Sequence, residues 1–332
     1  MPDSALIDSF GRVHAALRLS VTDRCKLHCR YCMPPEGMAW IPSRHLATDD
    51  QLLRLASILV ELGIREIRVT GGERLVRAGV VEIVRRLRGL GGVREISMTT
   101  NGVLLADQID ALVSAGLDRV NVRVDTLDPE RFAALTRRRD LDRVLDGIAA
   151  CERHPELGPV KVNAVVLRGV GEPDVLPLAN LARERRFAVR FIAAMPLDAS
   201  REWSPELVLC GGEVRAMIGA VWPLREVART RASAPGRRWE FEDGAGVLEF
   251  VSSVSEPFCA ACDRLRLTAD GRLRTCLFAE SETDLLGALR DGASPDQIAE
   301  LIRSAVSRTS AGHVIGTPGW QYQGRPMSMI GG

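Results

Sequence analysis

Two cysteine triplets constrain this chain more than any other feature. Of eight cysteines, three fall at Cys25, Cys29 and Cys32, three at Cys259, Cys262 and Cys276, and only Cys151 and Cys210 stand alone. Short-spaced cysteines in a cytosolic chain argue for metal ligation more than for disulfides. The fold must therefore build two metal sites near opposite ends of the sequence, either facing one cavity or as unrelated structural sites. The first triplet reads C-x3-C-x2-C and runs into Met33-Pro34. Three thiolates on one short loop can hold three irons of a 4Fe–4S cluster and leave the fourth open to a small molecule. A structural zinc completed by His28 is the alternative, but such zinc usually takes four ligands from paired C-x2-C elements. The second triplet, Cys259-x2-Cys262-x13-Cys276, again offers three ligands. Beside it, Arg264 and Arg266 alternate along a strand-like run and so point the same way. Guanidiniums fork onto phosphates or carboxylates. A zinc ribbon with solvated arginines is the alternative here.

A chain of 332 residues suggests two domains, or one barrel-sized domain with an appendage. Its 46% hydrophobic content excludes a disordered protein. No apolar run approaches the roughly 18 residues of a membrane span. The start, Met1-Pro2-Asp3-Ser4, lacks the regions of a signal peptide. A cytoplasmic protein with no membrane partner is expected. The formal charge of +1 argues against a large nucleic-acid footprint. Lys26 and Lys161 are the only lysines among 44 basic residues, and a lysine that survives so strong an arginine bias has a reason to be there.

Periodicity gives the architecture. An apolar run at Leu17 to Val21 ends in the cysteine loop, and a helical pattern follows from Asp49 to Leu62. The unit recurs with strands at Glu66 to Thr70, Glu95 to Thr99, Arg119 to Val124, Lys161 to Leu167 and Val189 to Ile192. Six β/α units predict a parallel sheet with helices outside, either doubly wound or a complete or partial barrel. After Pro196 the alternation stops. Short strands separated by Ala234-Pro235-Gly236 and Asp243-Gly244 are expected from Val227 to Val254, with a boundary near residue 220, giving domains over 1–220 and 221–332. In parallel β/α folds ligands bind at the carboxyl ends of strands. There lie the first triplet, Gly71-Gly72-Glu73, Thr99-Thr100-Asn101-Gly102 and Asp125-Thr126.

A C-x3-C-x2-C loop after the first strand, with Tyr31 just before its last cysteine, resembles the radical S-adenosylmethionine enzymes. In that superfamily the open iron is chelated by the amino and carboxylate groups of S-adenosylmethionine, and electron transfer releases a 5'-deoxyadenosyl radical. The Gly71-Gly72-Glu73 turn resembles the family's site for the methionine end: two glycines let backbone approach a ligand, and a carboxylate can accept from its ammonium. The second triplet, the segment Leu17-Arg18-Leu19-Ser20-Val21-Thr22-Asp23-Arg24-Cys25 and the tail Arg325-Pro326-Met327-Ser328-Met329-Ile330-Gly331-Gly332 are together similar to the MoaA family, the GTP 3',8-cyclases of molybdenum cofactor biosynthesis.

That resemblance implies an α/β fold, a partial (β/α)6 TIM-like barrel with a smaller C-terminal α+β domain carrying a second iron–sulfur site. It puts the S-adenosylmethionine cluster on Cys25, Cys29 and Cys32 and a second 4Fe–4S cluster on Cys259, Cys262 and Cys276. The open iron of that second cluster would take the guanine edge of GTP. Arg18, Arg68, Thr99, Lys161 and the Arg264-Leu265-Arg266 run fall on GTP-contacting positions, and Tyr31, Gly72 and Met195 on S-adenosylmethionine positions. Gly331 and Gly332 would reach into the active site, where a tail without side chains fits a crowded cavity. The implied reaction takes a hydrogen from ribose C3' and joins that carbon to C8 of guanine, giving 3',8-cyclo-7,8-dihydro-GTP. The implied partners are an external electron donor and a downstream cyclic pyranopterin synthase, and the resemblance allows a homodimer.

The chain departs from this pattern at four positions. Arg74 stands where proline usually follows the Gly-Gly-Glu turn, Arg123 where a serine contacts S-adenosylmethionine, Ala193 in place of a glutamate and Asp263 in place of an asparagine. None removes a cluster ligand. Another two-cluster radical enzyme, such as a peptide-modifying one, or an inactive nucleotide-binding paralogue remain the alternatives to the cyclase. His313, Cys151 and Cys210 have no assigned role, the last two reading as buried small apolar residues.

Overall fold

The computed structural model describes residues 5–331 apart from 186, 316, 318–319 and 321–323. Six strands alternate with helices: β1 (Ala16–Ser20), β2 (Glu66–Thr70), β3 (Glu95–Thr100), β4 (Arg119–Arg123), β5 (Lys161–Val166) and β6 (Ala188–Ala193). Each lies within a residue or two of its predicted span. They pair in parallel, in chain order, as a six-stranded partial barrel. The first helix, Asp49–Glu61, starts at Thr48, whose side chain accepts from Gln51 N while the Gln51 side chain accepts from Thr48 N. This reciprocal cap satisfies two orphan donors and fixes where the chain leaves the cysteine loop.

Parallel strands covered on both faces normally read as continuous apolar runs. These strands alternate instead. Leu17, Leu19, Ile67, Val69, Ile96, Met98, Val120 and Val122 are buried in one core. Between them stand Arg18, Arg68, Ser97 and Asn121, with Arg18 in register with Arg68 and Arg68 with Ser97. Alternation with period two sends the apolar set to the helices and the polar set to the concave side. The barrel thus has a polar lumen where an ordinary (β/α)8 barrel packs branched apolar side chains.

The C-terminal third supplies β7 (Leu224–Val227), β8 (Arg237–Phe241), β9 (Val247–Val251), β10 (Arg264–Leu267), β11 (Arg272–Arg274) and β12 (Thr283–Asp284). These strands join the same sheet. β9 pairs in parallel with β6, and β8 and β7 follow antiparallel. At the opposite edge β10 pairs in parallel with β1, followed by β11 and β12. The sheet order is β12-β11-β10-β1-β2-β3-β4-β5-β6-β9-β8-β7. A six-stranded partial barrel leaves two edges with unpaired backbone groups, and the C-terminal segment covers both. Among the described residues, no helix is long and apolar enough to cross a membrane.

Leu265 sits at the seam between β1 and β10, in register with Leu17 and with none of its surface exposed. Its side chain belongs to the apolar core, so a substrate contact by Leu265 is confined to its main chain. Leu265→Ala should cost about 2–5 kcal/mol, seen as a lower urea midpoint with an unchanged slope.

Candidate active site

The first cysteine cavity, about 100 Å³, opens where β1 to β4 end and is lined by Cys25, Cys29, Cys32, Tyr31, Gly72, Thr99 and Arg123 among others. All three cysteines are free thiols. Burial pushes the Cys25 and Cys32 thiols up to about 12 and raises Cys29 as well, and the neighbouring cysteines add to the rise for Cys25 and Cys32. Three thiols crowded around one cavity, Cys29 buried and Cys25 and Cys32 half-buried, become thiolates when a metal supplies the compensating charge. Asn101 Nδ2 lies 3.9 Å from Cys25 Sγ, a donor toward the sulfur. Among the described residues, no three His, Cys, Asp or Glu side chains close on a point as a single metal ion requires. A cluster places each thiolate on its own iron, and the donor set fits that arrangement.

The Gly-Gly-Glu turn lines this cavity and is also packed against the backbone of the cysteine loop. Gly71 has φ 130°, and a Cβ there would overlap the Thr22 carbonyl. At Gly72 a Cβ would overlap the carbonyls of Asp23 and Arg24. Gly72 N donates to Thr22 O at 2.7 Å and Glu73 N to Arg24 O at 2.6 Å. The close approach the glycines allow is therefore to the backbone leading into the cysteine loop. Glu73 accepts from Leu75 N at 3.1 Å, Thr100 Oγ1 at 2.8 Å and Asn101 N at 2.7 Å. Its carboxylate ties the ends of β2 and β3 together. Tyr31 donates its hydroxyl to Asp125, which also accepts from Val165 N at 2.7 Å. Met195, after β6, is half-buried and does not line this cavity.

A second cavity of about 340 Å³ lies at the other end of the lumen, where Glu66, Glu95, Arg119 and Lys161 begin β2 to β5. It gathers Arg18, Arg68, Lys161 and Arg264. Thr99 lies apart from them, in the first cysteine cavity. Burial, then the charges of Arg68, Arg264 and Arg266, hold the Arg18 guanidinium well below its ordinary range. Arg68 is brought down to about 9 by burial and by Arg190. The sequence reading missed Arg190 and Glu249, which face each other across β6 and β9. Glu249 accepts from Lys161 Nζ at 2.7 Å and from Arg190 Nε at 2.8 Å, and these two cations hold its carboxyl at about 2. The signal was available: Val189-Arg190-Phe191 repeats the apolar-Arg-apolar pattern of Leu17-Arg18-Leu19 and Ile67-Arg68-Val69.

The second triplet lines a cavity of about 70 Å³ with Arg264, Arg266 and His313. Burial raises the Cys276 thiol, and Cys259 and Cys262 add to it. Buried Arg12 fastens the N-terminal segment to this site, donating to the carbonyls of Cys259 at 2.9 Å and Ser310 at 2.7 Å while Asp8 holds its Nε at 2.6 Å. His313 faces the Ser253 carbonyl with Nε2 at 2.8 Å and accepts from Ile315 N with Nδ1. These partners engage both ring nitrogens, and His313 lines the cavity. Arg264 lines this cavity and the basic one. Arg266 donates to the Gly331 carbonyl. Gly331, with φ 79°, lies against Ser20 and Thr70, and a Cβ would overlap both hydroxyls. The tail thus enters the lumen at the ends of β1 and β2, with Met327 and Ser328 lining the first cavity. Gly332 lies outside the described residues. Cys151 is a buried core residue, as expected. Cys210 instead caps the helix Gly211–Gly219 in a box with Glu213.

The four departures are all accommodated. Arg74 is buried with Nη2 3.3 Å from Gly71 O and Nη1 3.9 Å from Glu73. Arg123 stacks on Tyr31, its Cζ 4.2 Å from the ring centre. Ala193 ends β6 in the core, and Asp263 lies 3.5 Å from Arg264.

A fold of six parallel strands opening three thiolates at one end of a polar lumen is that of a radical S-adenosylmethionine enzyme. The Radical SAM superfamily model matches residues 19–182, and the model "Molybdenum Cofactor Synthesis C" matches 187–315. The solved structure of native anSMEcpe with bound AdoMet has the same fold, with a TM-score of 0.62 at 14% identity over 89% of this chain and 81% of that one. The GTP 3',8-cyclase of Streptomyces coelicolor is 46% identical over 98% of this chain and 96% of its own length. That of Mycobacterium sp. strain KMS is 45% identical over 98% and 93%. The chain belongs to the GTP 3',8-cyclase family, and its cofactors are two 4Fe–4S clusters and S-adenosylmethionine.

Because Gly72 lies flat against the Asp23 and Arg24 carbonyls, Gly72→Ala should push the first cysteine loop aside and leave the second site intact. Reconstituted protein is expected to hold about half the wild-type iron. Full iron content would show that the loop tolerates the methyl group.

Proposed function

We propose that this chain cyclises GTP to 3',8-cyclo-7,8-dihydro-GTP, the first step of molybdopterin (molybdenum cofactor) biosynthesis. One observation carries the reading: two cavities, each lined by three free cysteines, stand with a basic cavity of Arg18, Arg68, Lys161 and Arg264 in a chain 46% identical to a GTP 3',8-cyclase. Cys25, Cys29 and Cys32 would hold the cluster that works with S-adenosylmethionine, with Tyr31 and Gly72 beside it. Cys259, Cys262 and Cys276 would hold the second cluster, against which the guanine rests. When bound and given an electron by an external donor, the first cluster and S-adenosylmethionine would supply the radical chemistry that removes hydrogen from ribose C3'.

The chain's own residues do the rest by binding and orientation. Arg18, Arg68 and Lys161 would neutralise the triphosphate, with Arg264 and Arg266 placed between that charge and the second cluster. Glu249 bridges Lys161 and Arg190, and all three line the basic cavity. Positioning of this kind can supply a large share of a rate enhancement, because the reacting atoms are held near each other before the barrier is crossed. Gly331 would close the lumen beside the reacting ribose. In this reading residues 1–220 form the S-adenosylmethionine unit and 221–332 the auxiliary-cluster and substrate unit. The reaction runs in the cytoplasm, and its product passes to a cyclic pyranopterin synthase.

The test is anaerobic. Protein reconstituted with iron and sulfide, then given reductant and S-adenosylmethionine, should form 5'-deoxyadenosine at a rate that rises with GTP, together with a cyclised guanine product. Cys25→Ala should abolish that formation while the second cluster survives. Formation indifferent to GTP, from protein carrying both clusters, would contradict the proposal.

A further inference from the structure

Two arginines in the first cysteine cavity have more donors than acceptors. Arg123 makes no hydrogen bond among the described residues: its Nε is buried without a partner, and its nearest carboxylate oxygen, on Asp125, is 3.7 Å away. That Asp125 is already occupied by Tyr31 and Val165. Arg74 comes close to the same arrangement, its one hydrogen bond running from Nη2 to the Gly71 carbonyl at 3.3 Å. It is 5% exposed, its Nε has no partner, and the Glu73 carboxylate beside it already accepts from Leu75, Thr100 and Asn101. A guanidinium carries five donors in a planar fork matched to a two-oxygen acceptor. Leaving the buried Nε of each side chain unpaired is costly, while the Arg123 side chain as a whole is 27% exposed. Both side chains line the cavity that holds Cys25, Cys29 and Cys32. Stacking on Tyr31 holds Arg123 in place without consuming its donors.

We propose that Arg123 and Arg74 form a two-guanidinium carboxylate subsite, which recognises the methionine carboxylate of S-adenosylmethionine. The proposal rests on the reading of this cavity as the S-adenosylmethionine site and adds to it the two positions where the chain departs from its family. The arginines are then specificity determinants that select a ligand bearing a carboxylate. This account separates them from groups that merely fill the cavity or act on the cluster, since those roles would affect every ligand of the site alike.

The experiment compares two probes, S-adenosylmethionine and decarboxylated S-adenosylmethionine, by anaerobic equilibrium dialysis against the two-cluster protein, with the electron paramagnetic resonance of the reduced first cluster followed alongside. Arg123→Met and Arg74→Met should each weaken S-adenosylmethionine binding by about tenfold or more. Affinity for the decarboxylated probe should stay within about threefold, because the lost donors had no partner on it. Arg123→Lys should fall between, keeping the charge without the fork. Unchanged or tighter S-adenosylmethionine binding in Arg123→Met would overturn the proposal, as would equal losses for both probes. Iron content is measured on every variant, and if Arg123→Met loses its cluster, Arg74→Met and Arg123→Lys carry the same comparison. Variants that lose affinity for S-adenosylmethionine but not for the decarboxylated probe, in a protein that leaves GTP unchanged, would sink the cyclase reading and spare the subsite. Protein that converts GTP while the variants keep their affinity would do the reverse.

Discussion

Burying like charges together is the constraint on which the rest of this structure depends. Arg18, Arg68 and Arg266 share one lumen, and none of them pairs with a carboxylate among the described residues: Arg68 donates to Ser97 Oγ and Arg266 to the Gly331 carbonyl. Taking a charge out of water costs several kcal/mol even after relaxation. A polyanion is the ligand that such a set of neighbouring cations would favour. Everything around the lumen serves to keep these charges where they are. The outward apolar set of β1 to β6 anchors the strands to their helices, and the C-terminal strands cover both edges, so the polar face cannot turn outward.

That geometry also explains why one chain carries two cysteine sites. β10 lies directly beside β1, so the loop before it, with Cys259 and Cys262, comes near the N-terminal segment, and Arg12 ties the two together. Arg264 and Arg266 follow on β10 and so face the same lumen as Arg18. The tail then returns over the ends of β1 and β2, where Gly331 fits because Ser20 and Thr70 leave no room for a side chain. Two sites at opposite ends of the sequence are thereby brought to one sheet, with Arg266 beside the second cysteines and bonded to the tail that lies on the ends of β1 and β2.

Much of this was legible in the residues, and the misses have physical causes. The six strands were found because the period-two pattern is strong and the turns after them carry Gly-Gly, Asn-Gly and Asp-Thr. The cysteine spacings pointed to clusters because three ligands leave one iron open. What the pattern could not show was pairing. Nothing local in Val247–Val251 or Arg264–Leu267 says that these strands add to the two edges of the first sheet, since edge pairing is a long-range choice. The backbone contacts of Gly71, Gly72 and Glu73 were hidden for a similar reason. A Gly-Gly-Glu turn that lines a cavity shows its packing against the cysteine loop only when the chain that crosses it, Thr22–Arg24, is in view. Arg190 and Glu249 were missed because each reads alone as an ordinary strand charge, and only their pairing with Lys161 gives them meaning.

The central claim is that the lumen's unpaired guanidiniums exist to hold a nucleotide triphosphate. The most direct measurement is the anaerobic affinity of the two-cluster protein for GTP, GDP, GMP and guanosine at two salt concentrations. Affinity should fall by about tenfold or more with each phosphate removed, and the GTP value should weaken most as salt is raised, since screening acts on charge. Guanosine binding as tightly as GTP, with no salt dependence, would contradict the account.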